Sequence, residues 1–235
     1  MAGHAAVVEQ LLAHGADPNI HDDGSRTPLL IAIEEDRVDI VKQLLAHGAD
    51  PHEKSGIFDE RPLRCAIRTR NQTIVELLLA QGADIDAKNL HDQTALSYAT
   101  EARYTAIAKL LVAYGAGPNA GTPPYYLPNR RENIVKLLLA HGADPSKRSL
   151  VEHYYFGAAP SCLATQLGHE SIVRLLLADG RVQPDAEGMF GNTPLLLALK
   201  YRSTEVVKLL LADIRVNLTS TERSILSGMK LRYSF

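Results

Sequence analysis

The chain has 235 residues, of which 46% are hydrophobic and 22% charged, with a formal net charge of −2. That is enough apolar material to bury a core, and too little charge for the strong basic field of a nucleic-acid or anionic-membrane binder. Its apolar runs stop short of the roughly 20 residues of a membrane span, and Met1-Ala2-Gly3-His4 lacks the basic start and apolar core of a secretory leader. With two cysteines the expected setting is a reducing one, cytoplasm or nucleus and not secreted, with both thiols free.

Along the chain one segment returns seven times, starting at Val7, Ile40, Ile74, Ile107, Ile134, Ile172 and Val206, with spacings of 33, 34, 33, 27, 38 and 34. Each copy reads as two apolar residues, a leucine-rich stretch, alanine and then, in most copies, Gly-Ala-Asp. Such self-similarity marks a repeat architecture. Residues 1–17 supply half a unit, a second helix without a first. The next unit shows the full logic. Thr27 suits a helix N-cap and Pro28 the first helical position, where a missing N–H is harmless. Leu29, Ala32 and Ile33 line one helical face, Asp36-Arg37 makes a polar turn, and Ile40, Val41, Leu44 and Leu45 line a second helix. Gly48 ends it, because glycine enters the left-handed region without a Cβ penalty. Helices this short are marginal alone, so stacking of consecutive units is expected to bury their faces.

Thr27-Pro28-Leu29-Leu30-Ile31-Ala32 with Ile40 to Asp50, and again Thr193-Pro194-Leu195-Leu196-Leu197-Ala198 with Val206 to Ala212, resemble the ankyrin repeat. The resemblance covers residues 1–218 and implies an all-α ankyrin-repeat solenoid of stacked helix-turn-helix units with hairpin-like loops. It also implies a concave face, built from hairpins and first helices, that binds protein. Departures are local. Arg61-Pro62-Leu63 and Ala159-Pro160-Ser161 lack the threonine cap. The fifth unit is short by six residues and carries Pro123, Pro124 and Pro128, which predict a broken first helix; the sixth adds loop residues around Val151 to Ala158. A bend or notch is expected between residues 118 and 160. The half unit at the start predicts either a cut from a longer array or a covered edge, with Val8 and Leu11 exposed and self-association through that edge as one outcome. Thr219 and Glu222 have capping-box spacing, so residues 219–235 are expected to form a capping helix or frayed tail.

Nine histidines raise the question of metal, but His14, His47 and His141 recur at one framework position and are expected about 10 Å apart, far from the 2 Å convergence of zinc ligands. No zinc-type cysteine pair, nucleophile elbow or phosphate loop is present, so no cofactor and no enzyme activity are expected. Carrying the family's contact positions across assigns a row of Glu34 and Glu35, Arg68 and Thr69, Glu101 and Ala102, Gln166 and Leu167, then Lys200 and Tyr201. Aromatic residues gather in the irregular half: Tyr125, Tyr126, Tyr154, Tyr155, Phe156, Phe190 and Tyr201. Tyrosine is a favoured interface anchor, so these are candidate partner contacts as well as candidates for filling the notch. The expected function is a scaffold or adaptor binding another protein. The alternative is an enzyme or small-molecule pocket at residues 118–160.

Overall fold

The computed structural model describes residues 2–54, 60–121, 132–147 and 159–232. The chain divides into two compact units, Met1–Gly121 and Thr122–Phe235. The first contains α1 (Ala2–Ala13), α2 (Pro28–Glu34), α3 (Val38–Ala46), α4 (Pro62–Thr69), α5 (Gln72–Ala80), α6 (Ala95–Glu101) and α7 (Thr105–Ala113). The second contains α8 (Glu132–Ala140), α9 (Pro160–Gln166), α10 (Glu170–Ala178), α11 (Pro194–Lys200), α12 (Thr204–Ala212) and α13 (Ser220–Arg232). No regular strand occurs among the described residues. The fold is the expected stack of helix pairs.

Each pair is antiparallel, and like packs on like. Helices α2, α4 and α6 form one layer of the first unit, with α3, α5 and α7 behind them; α9 with α11 and α10 with α12 do the same in the second. The seven-residue helices are held by this stacking rather than by their own turns. Ile33, Val41, Ile67, Ile74, Val75 and Leu78 are sealed from solvent in the first unit. Val173, Leu176, Leu195, Ala198 and Leu210 make the core of the second. Each buried leucine, isoleucine or valine contributes about 1.5–3 kcal/mol relative to exposure.

Capping follows the sequence reading. The hydroxyls of Thr27, Thr94 and Thr193 accept from the amides of Leu30, Ser97 and Leu196, while Arg61 and Ala159 supply no side-chain cap. Gly48, Gly82, Gly115 and Gly142 close second helices at φ between 82° and 90°, and a Cβ there would meet nothing within 4 Å. Glycine is needed at these positions for backbone conformation alone. His14, His47 and His141 each turn Nδ1 onto a last-turn carbonyl four residues back, at 2.7–2.8 Å, which explains their recurrence. The recurring aspartate accepts from the amide two residues on, as Asp17, Asp50, Asp84 and Asp144 all do. Neighbouring repeats are tied at the same height: the Asn19 amide donates to the Gly48 carbonyl, and Asp86 accepts from the Gly117 amide.

Two helix ends depart from this scheme. Gly180 does not take the left-handed conformation, and Ile214 stands, fully exposed, in the glycine position of the last repeat. Here Asp179 and Asp213 are extended C-caps, and Arg181 and Arg215 clasp them with paired bonds of 2.9 and 2.6 Å. Arg215 also reaches back to the carbonyls of Leu177 and Val182.

The edges differ too. On α1, Val7 and Leu11 are 59% and 57% exposed. Val8, expected outside, is half-buried and lines a groove of about 360 Å³ with Ile31 of α2 and Ile40 of α3. At the other end, Glu222 is 1% exposed. It accepts from the Thr219 amide at 2.7 Å, and its own amide donates to the Thr219 hydroxyl at 3.2 Å. Its second oxygen accepts from the hydroxyl of Thr193, the cap of α11. About half of the notch expected at residues 118–160, its residues 122–131 and 148–158, falls outside the described residues.

Candidate protein-interaction face

The layer of first helices in the first unit presents a polar face. Glu34, Arg68 and Glu101 occupy the same position of α2, α4 and α6, eighth from the cap. Arg68 donates across the repeat boundary to Glu34 at 3.3 Å and to Glu60 at 3.4 Å. Arg26 joins from the preceding loop, 3.6 Å from Glu34 and 2.8 Å from Asp22. Glu101 accepts from Gln93 Nε2 at 2.5 Å instead of meeting Arg68. The structure therefore brings Glu34 and Arg68 together, and places Glu101 in a second group with Gln93. Glu35 faces away from that row and lines the groove beside α1.

The second group holds residues that the sequence reading passed over. Arg64 lies over the Tyr98 ring at 4.4 Å from its centroid, and both guanidinium ends sit 3.4 Å from Gln93 Oε1. Arg70 covers Tyr104 at 4.6 Å. Burial, and then the neighbouring Tyr104, push the Tyr98 hydroxyl above its ordinary range. Contacts of this kind hold an arginine in one orientation while leaving its edge available. The missed signal was Arg61 and Arg64, at the cap and in the first turn of α4, three residues apart and in line with Arg68 four residues further on; counting eight and nine residues from the cap reaches Arg68 alone.

Backbone strain lies in the same region. Asp36, Arg70 and Arg103 end the first helices' turns at φ of 56°, 63° and 71°, where the second unit uses Gly168 in one of its two described turns. A non-glycine residue there is disfavoured by roughly 1–2 kcal/mol, so side chains are retained at some expense of stability.

Glu34, Glu60 and Cys65 bring ligand atoms within 4.8 Å of one another. Arg68 occupies the middle, donating to all three, Cys65 Sγ at 3.5 Å. Burial, and then the Glu60 charge, push the Cys65 thiol up to about 12, so it stays protonated at neutral pH. Both cysteines are free and buried.

In the second unit Phe190 is 90% exposed at a loop tip, held at φ 62°. Tyr201 is exposed, with the Lys200 ammonium 5.7 Å from its ring. Tyr125, Tyr126, Tyr154, Tyr155 and Phe156 lie outside the described residues.

The model of the family "Ankyrin repeats (3 copies)" matches residues 1–55, 52–122 and 125–220. The chain belongs to the ankyrin repeat family. Ankyrin repeats are in general protein–protein interaction modules, and no catalytic family is indicated. Among solved structures, the ankyrin repeat domain of Bcl-3, described as a unique member of the IkappaB protein family, is similar at 25% identity and a TM-score of 0.74, covering 88% of this chain and 92% of that one. No curated protein matches.

Proposed function

We propose that this ankyrin repeat chain is a scaffold or adaptor that holds a partner protein against the concave, first-helix face of its repeats. One observation carries the reading: arginines stacked on tyrosines, Arg64 on Tyr98 between α4 and α6 and Arg70 on Tyr104 between the turns that follow them, on repeats locked to their neighbours. Arginine and tyrosine dominate interface hot spots, and a surface already ordered loses little freedom on binding. Resemblance to a domain of the IkappaB family supports the same class of role. The reading places the chain in cytoplasm or nucleus, which suits two buried free thiols. No helix among the described residues is long and apolar enough to cross a membrane. Self-association through α1 belongs to it as well, supported by exposed Val7 and Leu11, and sedimentation at rising concentration tests it.

The main test is a photo-crosslinking residue placed at Glu101, on a first helix, or at Lys109, on a second helix. A discrete protein adduct from position 101, weak or absent from 109, supports the reading. Adducts from 109 alone would place the partner on the opposite face and refute it.

A further inference from the structure

Beside the first-helix face, the loops after α3 and α5 and the N-terminus of α4 enclose a pocket of about 140 Å³. Among the described residues four cations line it, Lys54, Arg61, Arg64 and Lys88, against one carboxylate, Asp84. Asp84 is engaged by the Asp86 amide, and Lys88 is paired with Asp92 at 2.8 Å. The two arginines are different. Among the described residues, Arg61 donates to the His52 carbonyl and its Nε is buried without an acceptor, and Arg64 has only the Gln93 amide oxygen and the Tyr98 ring. By contrast Arg26, Arg68, Arg174, Arg181 and Arg215 each reach a carboxylate within 3.3 Å. Arg61 and Arg64 are half-buried guanidinium groups facing a single pocket with neutral partners. Partial desolvation of a charge without a counter-charge is unfavourable, and a carboxylate relieves it best, through paired bonds. At the lip stands Leu90, 85% exposed, with buried Leu63 also in the lining.

We propose that this pocket receives a glutamate side chain from an acidic segment of the partner protein, with an apolar neighbour of that glutamate resting on Leu90. The proposal rests on the protein-interaction reading and adds to it the chemistry of the partner. The volume suits a carboxylate on a short methylene stem and falls below the roughly 300 Å³ of a small-molecule site. A carboxylate is favoured over a phosphate because Asp84 and Asp92 oppose a second negative charge, while Leu63 and Leu90 accommodate methylenes.

The test is selection of random twelve-residue displayed peptides on the full chain at low salt. Fluorescence anisotropy follows on the selected sequence in three synthetic forms, with glutamate, glutamine or phosphoserine at the acidic position. Acidic peptides should be enriched. Glutamine should weaken binding by about tenfold or more. Arg64→Gln should cause the same loss with the glutamate peptide and little further loss with the glutamine one. Lys88→Gln, at an exposed position, should weaken binding by about threefold and flatten its salt dependence. Selection of no peptide, selection of neutral peptides, or undiminished binding by both variants overturns the proposal. Tighter binding of the phosphoserine form assigns the pocket to a phosphopeptide and also overturns it. A partner crosslinked at position 101 that binds Arg64→Gln normally removes the pocket from the interface and leaves the scaffold reading in place.

Discussion

Replacing Glu222 tests how the last helix is fastened. Its carboxylate accepts from the Thr219 amide and, on the other oxygen, from the buried Thr193 hydroxyl. In Glu222→Ala the Thr219 amide finds water, because Thr219 is exposed, and the lost capping box is worth about 1 kcal/mol. Thr193 is 4% exposed, so its hydroxyl loses its acceptor inside the protein, at a further 1–3 kcal/mol or so. The expected destabilisation is about 3 kcal/mol, or roughly 6–12 °C in the melting temperature of a chain this size. Glu222→Gln keeps the shape but presents an amide donor to one of the two donors, and should lose about half as much. Calorimetry of Glu222→Ala, Thr193→Val and the double variant yields the coupling between α13 and the α11 cap. It is expected to exceed about 1 kcal/mol. A coupling below about 0.3 kcal/mol, or a melting change under about 2 °C, would refute the latch.

Gly188→Ala sets a Cβ 2.9 Å from Cys162 Sγ and 3.0 Å from its Cβ and should destabilise by about 1–3 kcal/mol; adding Cys162→Gly, which removes both atoms, should recover part of this, measured by urea unfolding. The hydrogen bonds from Arg181 and Arg215 hold the carboxyls of Asp179 and Asp213 below their ordinary value. Their folded-state pKa is thus depressed, so the stabilisation is complete above about pH 4 and disappears as pH falls through the depressed values. Asp213→Asn should therefore show a shallower loss of melting temperature from about pH 4 to pH 2 than the parent chain. Cys65 and Cys162 should resist a thiol reagent at pH 8 until the chain unfolds, so the labelling rate should track unfolding; fast labelling of the folded chain would contradict the burial and the raised Cys65 pKa. Arg103→Gly relieves a φ of 71° and should raise stability by about 0.5–1 kcal/mol while leaving the helices unchanged by circular dichroism.

The framework was legible because each part of it has a local cause. Threonine caps, proline at the first helical position, the helical spacing of leucines and glycine at the helix end are decided within ten residues, and Thr27 through Gly48 show all four. The inner face was half legible. Glu34 and Arg68 were found by counting from the cap, whereas the Arg64–Tyr98 stack joins residues 34 apart, and nothing in either residue's neighbourhood announces the other. Glu35 was counted with Glu34, yet a helix turns 100° between adjacent residues, and it faces the groove by α1. Gly180 holds the position at which Gly48 and its counterparts stop their helices. Its helix ends through Asp179 and Arg181 instead, a side-chain arrangement that backbone rules do not anticipate.

Those two ways of ending a helix give the chain a gradient that composition does not show. Where Gly48, Gly82, Gly115 and Gly142 close the second helices, the ending depends on steric freedom, which dissolved ions do not touch. Where Asp179 with Arg181 and Asp213 with Arg215 do so, it depends on opposite charges near the surface, which ions screen over about 10 Å. Ionic strength therefore acts on this protein by position, loosening the α10 and α12 termini while leaving the earlier ones as they were. Mutational tolerance runs the same way: residue 214 is open to almost any side chain, and the permission comes from its neighbours on either side.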